Sequence, residues 1–412
     1  MPIGSRLNDG PPVQAKATLY QHHHVIAKLL MSNYSRPHVH GAFLILLAMP
    51  GLGMGQSTFV HSKAVDAAVT AEMGRQKIVG AAIGIIQNSS VVYTKGYGWS
   101  DLKSHTPVTD ETIFNWASNS KPLISIAALQ LTQRGQLNLD KPIVSYCPNL
   151  PAQLQQITTR QLLCHQSGIP HYSNGTVIPS RKDKNSNQTF DPSEKYDELD
   201  PMNSLQRFIL SPLIFESGTK TDYSSYAYVL LTAVVQSAGN EPIESQLNNR
   251  IIHRLNLTSF QLDLPADNQP SNWTQAYRIT NGKPVAVPDY AHFWKHGAGG
   301  YKSNVQDFSR FATALANSDL IDPQMSAAMW TRQSTSDGKA SRYGLGVVVS
   351  ESGDALKISH NGSQDETRTR MVIYPNRQHG IVVMCNTQGC EPSEITTAIY
   401  SAIRKSKGVQ AD

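Results

Sequence analysis

The chain is poor in cysteine, in charge and in long apolar runs. Its 412 residues include four cysteines, which are too few for a small disulfide scaffold, and no CxxC pair that would indicate a zinc knuckle. No stretch approaches the roughly 20 consecutive apolar residues that a membrane-spanning helix needs. Charged residues make up 16%, and the net charge of +5 comes without a long basic run, which argues against nucleic acid as a partner. With 40% hydrophobic residues the chain is globular, and its length fits one large domain or two smaller ones.

The first 55 residues differ from the rest in charge and in hydrophobicity. Four Lys or Arg minus one Asp give this segment +3 of the net +5. From Met31 a short polar stretch with Arg36 precedes the apolar run 42–49 and then small residues, an order typical of a secretory signal peptide. We therefore expect residues 1–55 to be a leader whose true start is Met31, and residues 56–412 to be an exported, periplasmic or secreted domain without a stable membrane span. An uncleaved leader that tethers the protein to a membrane, or a buried N-terminal helix, is the alternative.

Export would expose the cysteines to an oxidising compartment, in which disulfides persist. Cys385 and Cys390 are five residues apart around a turn-like stretch, and Cys147 and Cys164 could form a second bridge. Four cysteines allow three pairings, between which the sequence does not choose. Free buried thiols are the equally open alternative.

The hydrophobic periodicity predicts an α+β fold. Apolar spacing and turn residues predict an N-terminal helix and two strands, then a long helical middle, then further strands and a closing helix. This order indicates an antiparallel sheet made from both chain ends and flanked by helices, with a mainly helical inserted lobe. The α/β lobe is expected at about 56–115 and 290–412, and the helical lobe at about 116–289. The predicted helices are 60–77, 118–135, a start at Thr158, 226–238, 303–316 and 393–405; the predicted strands are 79–86, 91–97, 343–350, 357–360, 369–374 and 380–386; a polar excursion is predicted at 171–202.

The tetrad Ser118-Asn119-Ser120-Lys121 lies at a predicted helix start. The spacing i to i+3 puts the serine hydroxyl and the lysine amine on one face, one turn apart. The helix N-terminus supplies unpaired amide hydrogens and a partial positive charge, which favour an oxyanion. A serine is a weak nucleophile until a base takes its proton, and a desolvated lysine is such a base. Alone, the tetrad is weak evidence, since a capping serine beside a solvated lysine gives the same pattern.

Two further motifs strengthen this interpretation. Tyr223-Ser224-Ser225, about a hundred residues after the tetrad, stands just before an apolar helix. His360-Asn361-Gly362 ends the short predicted strand 357–360. The order S-x-x-K, Y-x-S, H-x-G resembles the serine beta-lactamase and penicillin-binding-protein superfamily. It is most similar to the branch of class C beta-lactamases, D-alanyl-D-alanine carboxypeptidases, D-aminopeptidases, lactamase-fold esterases and the animal mitochondrial lactamase-like protein. Other stretches that resemble this branch are 137–143, 157–169, 297–315 and 343–346.

The resemblance implies a catalytic trio. Ser118 matches the nucleophile that forms the acyl-enzyme, Lys121 the general base, and Tyr223 the phenol that relays a proton to and from the leaving group. A phenol does this at neutral pH only if cations depress its pKa, and Lys121 and His360 are expected to supply that charge.

The resemblance also implies the binding residues. The backbone N–H groups of the nucleophile and of Ser363 correspond to the oxyanion hole, and Gly362 lets the substrate backbone pair with the strand that also holds Asn361. Two departures argue against an efficient beta-lactamase. Ser225 stands where Y-x-N has an amide, and His360 stands where lactamases of this class usually have lysine.

Other polar residues have weaker claims. His165 is expected to be structural, because the matching family segment uses it so. Arg368 and Arg370 follow the H-x-G motif and are expected to be surface charges rather than ligands of a substrate carboxylate. His171 and Tyr172 are expected at the mouth of the cleft.

The expected activity is that of a serine hydrolase on a small peptide, beta-lactam or ester, without a metal or cofactor. The first hypothesis is cleavage of an amide bond in D-amino-acid peptides. The second is a carboxylesterase of the same fold. The third is a structural or filament-forming protein with residual activity, as the mitochondrial relative suggests. The sequence does not give the oligomeric state.

Overall fold

Apolar, β-branched runs near both ends of the chain form one antiparallel sheet. The computed structural model describes residues 59–180, 197–265, 269–288, 290–365 and 367–407. Within these ranges the sheet has seven strands in the order β3-β2-β1-β12-β11-β10-β9. The strands are β1 Gly80–Gln87, β2 Ser90–Asp101, β3 Thr106–Pro107, β4 Phe114–Asn115, β5 Gln261–Leu262, β6 Tyr277–Thr280, β7 Lys283–Ala286, β8 Tyr301–Ser303, β9 Val348–Val349, β10 Ile358–Gln364, β11 Thr367–Tyr374 and β12 His379–Cys385.

The centre of the sheet joins the two chain ends. Strand β1 pairs with β2 through a two-residue turn and with β12 on its other side, where Ala81 faces Cys385. The turn residues Asn88 and Ser89 have φ of 50° and 58°. Positive φ at both positions matches the right-handed twist of a tight hairpin, and asparagine tolerates it well.

Helices cover both faces of the sheet. Helices α1 and α10 pack together on one face, where Val65, Val69, Ile395 and Ile399 are fully buried. Helix α8 lies on the other face, with α2 and α5 behind it in a larger apolar core. The helices are α1 Ser62–Gln76, α2 Ser120–Gln133, α3 Thr159–Leu163, α4 Pro201–Ser204, α5 Ser225–Gly239, α6 Ile243–Leu247, α7 His253–Leu255, α8 Val305–Ala316, α9 Pro323–Met329 and α10 Pro392–Ser406.

Side-chain caps start the helices that flank the site. Thr158 and Gln161 form a reciprocal capping box at α3, and Ser224 accepts the amide hydrogen of Ala227 at α5. Such caps satisfy first-turn amides that lack partners within the helix. The start of α5 is therefore fixed directly after Tyr223.

The predicted α+β class with a sheet from both chain ends is confirmed, but several details were wrong. Only Val348–Val349 of the predicted strand 343–350 is extended in a ladder, and Ser303 ends strand β8 rather than starting α8. The H-x-G motif lies inside β10, not at its end. Two small sheets, β4-β8-β5 and β6-β7, were not predicted.

Some predictions concern residues or boundaries that the structure does not test. The leader 1–55 and residues 181–196 of the polar excursion lie outside the described residues. The lobe boundaries stay predictions. Among the described helices, none combines the length and the apolarity needed to cross a bilayer.

Candidate active site

A strained turn places Ser118 at the mouth of α2. Residues Ala117–Asn119 form a 3-10 turn that leads into α2, and Ala117 has φ of 48°. Such a conformation is uncommon for alanine and persists only where neighbours fix it. Here the Ala117 N–H donates to Asn115 Oδ1 at 2.6 Å, and the amide of Asn115 donates to Asp263 Oδ2 at 2.9 Å. The turn that carries the hydroxyl is therefore held from behind.

Lys121 lies one helical turn beyond Ser118 and has no exposed surface. Its Nζ is 3.0 Å from Ser118 Oγ, 3.2 Å from Ser225 Oγ and 2.6 Å from the carbonyl oxygen of Ala298. Burial, and next the charge of Lys295, hold the pKa of Lys121 well below its ordinary value. A neutral amine has two hydrogens and one lone pair. It can donate to Ser225 and Ala298 while it accepts the hydroxyl hydrogen of Ser118.

Tyr223 completes the cluster from the start of α5. Its hydroxyl donates to Ser118 Oγ at 2.7 Å. The imidazole of His165 packs against the Tyr223 ring with centroids 4.4 Å apart, and His165 Nδ1 accepts the N–H of Ser224 at 3.2 Å. His165 thus supports the phenol from behind rather than facing the cleft, as the sequence predicts. Burial raises the pKa of Tyr223 above its ordinary value, so the phenol keeps its proton at neutral pH.

The expectation that cations depress the pKa of Tyr223 was wrong. Burial lowers the pKa of His360 to about 3, and Lys121 is shifted towards its neutral form as well. His360 Nδ1 lies 2.8 Å from the carbonyl oxygen of Asn361, so this nitrogen is the donor and Nε2 is left as an acceptor. His360 is therefore neutral at pH 7 and supplies no positive charge to the phenol.

Gly362 keeps β10 close to the nucleophile turn. A Cβ on Gly362 would collide with Thr369 Oγ1 and with the carbonyl oxygen of Trp116, and would lie 3.1 Å from the Cβ of Ala117. Thr369 Oγ1 itself donates to the Trp116 carbonyl at 2.8 Å. The absence of a side chain at this position sets the distance between strand and nucleophile.

The remaining predicted residues meet in a cavity of about 660 Å³. Lys121 and Gly362 lie behind its wall, while Arg370, unlike Arg368, takes part in the lining. His171 and Tyr172 also line the cavity, and burial lowers the pKa of His171 to about 4. The predicted residues that line it are Ser118, Tyr223, Ser225, His360, Asn361 and Ser363.

Sequence reasoning missed four polar contributors to this site. Asn115 and Asp263 brace the nucleophile turn, while Lys295 and Arg342 bring positive charge to the cavity. Asp263 also lies 3.3 Å from Lys302 Nζ, and both side chains are buried. None of these residues belongs to the S-x-x-K, Y-x-S or H-x-G motif, and only their spatial neighbours reveal their roles.

The cysteines and possible metal ligands lie apart from this chemistry. The four cysteines are buried free thiols. Cys385 and Cys390 bring their sulfur atoms within 2.8 Å, whereas Cys147 donates to Ser237 Oγ at 3.6 Å rather than contacting Cys164. Within the described ranges, no group of three or more His, Cys, Asp or Glu side chains could hold a metal ion.

Comparison of the sequence with known families identifies the family of this chain. A family model described as Beta-lactamase matches residues 65–403. The chain belongs to the beta-lactamase family. Among the curated relatives of this chain, Protein flp of Staphylococcus aureus strain MRSA252 is 25% identical over 333 residues, which cover 78% of this chain and 62% of the relative. The mouse serine beta-lactamase-like protein LACTB, mitochondrial, is 26% identical over 61% of this chain and 59% of its own. The chain thus spans about six tenths of the length of these relatives.

Solved structures show the same fold. An octameric penicillin-binding protein homologue from Pyrococcus abyssi superposes with a TM-score of 0.68 at 20% identity, over 85% of this chain and 78% of its own. A D-amino acid amidase from Ochrobactrum anthropi has a TM-score of 0.65 at 20% identity, over 84% and 99%. EstCE1, a hydrolase with promiscuous acyltransferase activity, has a TM-score of 0.65 at 20% identity, over 82% and 98%. At these identities the likeness extends to the fold alone.

Proposed function

We propose that the protein is a serine hydrolase that forms an acyl-enzyme on Ser118 and cleaves an amide or peptide bond of the D-amino-acid peptide or beta-lactam type. One observation supports this most strongly. Ser118 Oγ lies between a buried amine, Lys121 Nζ at 3.0 Å, and a protonated phenol, Tyr223 Oη at 2.7 Å. A base and an acid on either side of one hydroxyl are what acyl transfer to serine needs.

In the proposed mechanism, side chains of the site donate and accept every proton, without a metal or cofactor. Lys121 takes the hydroxyl proton while Ser118 Oγ bonds to the substrate carbonyl carbon, and the negative charge develops on the carbonyl oxygen. Backbone N–H groups of Ser118 and Ser363 are the proposed donors to that oxygen, each worth about 3 kcal/mol in comparable enzymes. As the C–N bond breaks, the Tyr223 phenol protonates the leaving nitrogen and regains a proton from Lys121. Water then attacks the ester, and the same groups return the proton to Ser118.

The leaving nitrogen explains why an acid is needed. An amine leaves from a tetrahedral intermediate only once it is protonated, and a phenol with a raised pKa is a proton donor rather than a base. This division of labour, with Lys121 as base and Tyr223 as acid, differs from a scheme in which cations ionise the phenol. It fits amide substrates, and one of the proteins that share this fold is a D-amino acid amidase.

One observation favours an ester substrate as the second candidate. Ser225 replaces the amide of Y-x-N, and its hydroxyl lies 3.2 Å from Lys121 Nζ. A short hydroxyl so placed reaches less far towards a substrate amide than an asparagine would. An ester needs less help from such a contact, because an alkoxide or phenoxide leaves more readily than an amine.

The test is Ser118-dependent turnover. We expect wild-type protein, but not Ser118→Ala, to be labelled by a fluorescent penicillin and to hydrolyse p-nitrophenyl acetate. Ester turnover without penicillin labelling favours the esterase. If protein that circular dichroism shows to be folded gives neither Ser118-dependent labelling nor Ser118-dependent ester hydrolysis, the hydrolase proposal is wrong.

Export is part of the proposal. The apolar run 42–49 with its basic flank and small residues supports a cleaved leader and a periplasmic or secreted enzyme. Mass spectrometry of the purified protein measures its N-terminus after expression in a secreting host. An N-terminus near residue 56 is expected, and an intact Met1 would refute cleavage.

A further inference from the structure

A second cavity, of about 770 Å³, lies against helix α10. The end of β1, the turn between β11 and β12 and the last turns of α10 form it. Helix α10 covers the face of the sheet opposite to α8, and among the described residues none lines both this cavity and the catalytic one. Small-molecule sites usually measure about 300–1,000 Å³, so the cavity is large enough for a ligand of its own. We call it the α10 cavity; its lining includes Ile86, Tyr374, Arg377, His379, Tyr400 and Arg404.

Cations converge on the α10 cavity from two elements. Arg377 comes from the turn before β12, while Arg404 and Lys407 come from the C-terminal end of α10. Burial lowers the pKa of His379, and the charges of Arg377 and Lys407 lower it further, so cations of both elements lie close to this one ring. Among the described residues, no carboxylate oxygen lies within 4.0 Å of any of the three cations, and no Asp or Glu lines the cavity.

Basic residues at the end of a helix have an ordinary explanation, because they offset the partial negative charge of the last carbonyl groups. That explanation covers Arg404 and Lys407. It does not cover Arg377, which belongs to a different element and faces the same cavity. A cleft lined by one sign of charge attracts a ligand of the other sign. The α10 cavity is therefore suited to an anion.

Three aromatic rings form another part of its wall. Tyr374 and His379 lie opposite each other on β11 and β12, and their rings stack with centroids 4.6 Å apart. The ring of Tyr400 stands edge-on to both, at 5.6 Å from each centroid. The Tyr400 hydroxyl is buried and has no hydrogen-bond partner among the described residues, and burial raises its pKa, so it remains a donor. The wall thus combines aromatic surface with an unused donor, and such a donor costs about 1–3 kcal/mol while it stays unpaired.

We propose that the α10 cavity binds a small molecule in which a phosphate group is joined to a planar ring, as in a nucleoside monophosphate. The guanidinium groups of Arg377 and Arg404 suit the phosphate, because arginine donates two parallel hydrogen bonds to its oxygens. The ring packs against the aromatic wall, where stacking of a base contributes about 1–3 kcal/mol. Binding involves no covalent step and does not depend on the proposed hydrolase activity, since the two cavities are separate.

Calorimetric titration of the full chain tests this proposal. The ligands are AMP and UMP, with adenosine and inorganic phosphate as the two parts of AMP. The variants are Arg377→Gln, Arg404→Gln and Lys405→Gln, each compared with wild type after thermal unfolding has shown that it is folded. Lys405 is the matched control, because it is an exposed cation beside Arg404 that does not line the cavity.

Binding that needs both parts of the ligand is the expected result. We expect AMP or UMP to bind with a Kd below about 1 mM, and adenosine and phosphate each to bind at least about tenfold more weakly. Each arginine variant should weaken nucleotide binding about tenfold, the lower end of the range for a hydrogen bond to a charged group, because both arginines are exposed. Lys405→Gln should stay within about twofold of wild type, since screening leaves little effect of a distant exposed charge. Ser118→Ala should bind like wild type, whether or not the hydrolase proposal is correct.

Three results would overturn the proposal. The first is that neither nucleotide binds. The second is that phosphate or adenosine alone binds as tightly as the nucleotide, which would remove either the ring or the anion from the ligand. The third is that Lys405→Gln loses as much affinity as the arginine variants, which would indicate a diffuse effect of charge. Sedimentation with phosphatidylglycerol vesicles, and with phosphatidylcholine vesicles as the control, tests a lipid surface. Arginine-dependent sedimentation without nucleotide binding would assign these cations to a membrane instead.

Discussion

The side-chain oxygen of Asn115 accepts a hydrogen bond of 2.6 Å from the backbone N–H of Ala117, the first residue of the turn that presents Ser118. The same side chain donates to the buried carboxylate of Asp263 at 2.9 Å. Both contacts are sequestered from water, so neither group can exchange its partner for solvent. The geometry of the nucleophile therefore depends on an amide that touches no substrate.

Replacing Asn115 should cost both stability and activity. In Asn115→Ala the Ala117 N–H loses its acceptor and Asp263 loses a donor, and an unsatisfied buried group costs about 1–3 kcal/mol. We expect urea unfolding to show a loss in that range or above, together with a lower kcat. Asn138→Ala is the matched control, because Asn138 caps an exposed turn at Asp140 N. Equal losses in the two variants would contradict the bracing role of Asn115.

Lys121→Met should lower kcat/KM by about 10²- to 10⁴-fold, the usual contribution of a general base. It should also change how stability depends on pH. The folded pKa of Lys121 is lowered, so the unfolded state binds more protons, and the wild-type free energy of unfolding rises as the pH climbs towards 10.5. The variant lacks this group and should show a flatter curve between pH 7 and 10.

The measurement is urea unfolding of both proteins over that pH range. Lys141→Met serves as the control, since Lys141 is an exposed lysine. Parallel pH curves for wild type and Lys121→Met would contradict a neutral Lys121 in the folded protein.

Gly362→Ala should uncouple β10 from the nucleophile turn. The new methyl group would meet Thr369 Oγ1 and the Trp116 carbonyl, both of which are fixed by their own hydrogen bond. Overpacking of this kind typically costs about 1–3 kcal/mol, and displacement of the turn should lower kcat by at least tenfold. Gly389→Ala is the control, because no heavy atom lies within 4 Å of its added Cβ. Steady-state kinetics and thermal unfolding of the two variants separate local strain from a general effect of the substitution.

His360 should remain neutral throughout the working pH range. Its folded pKa of about 3 lies below the unfolded value of about 6.5. Its stabilising contribution is therefore complete above pH 6.5 and is lost as the pH falls from there towards 3. His360→Gln should show a flatter decline in the free energy of unfolding between pH 6.5 and 4 than wild type. An imidazole NMR signal that is absent in His360→Gln and titrates near pH 6.5 would contradict this.

Oxidation should join Cys385 to Cys390 and spare the other two cysteines. Their sulfur atoms are 2.8 Å apart and buried, whereas Cys147 contacts Ser237. In protein recovered from an oxidising compartment, alkylation under denaturing, non-reducing conditions followed by mass spectrometry should label Cys147 and Cys164 alone. Alkylation of all four residues would show that the pair stays reduced.

Local patterns predicted the parts of the site that recur in short motifs. The tetrad at 118–121 fixes its own geometry through one helical turn, and an apolar helix directly after Tyr223 fixes the start of α5. The bracing pair could not be predicted, because Asn115 and Asp263 are 148 residues apart and meet only in the folded chain. The prediction that cations lower the pKa of Tyr223 was wrong for a related reason. Sequence supplied the neighbouring charges but not the burial that neutralises them.

Glycine explains two errors in the strands. Within 343–350, Gly346 has φ of 89°, and the chain turns back there, so that Tyr343 makes only an isolated antiparallel bridge with Val348. In β10, Asn361 and Gly362 have poor intrinsic strand preference, so the sequence predicted an early end. Pairing with β11 overrides that preference and carries the strand on to Gln364.

The pairing of β1 with β12 has a consequence for how the protein is made. Ala81 faces Cys385 across the centre of the sheet, so this contact closes a loop of some three hundred residues. Loop closure of this length is slow, and a chain that emerges from the ribosome in order cannot complete the sheet until its last strand is available. Until then β1 presents an open, apolar edge of the kind that promotes aggregation. The final tenth of the polypeptide thus acts as the closing piece of the fold, and nascent chains that stop short of it are the species a chaperone would have to protect.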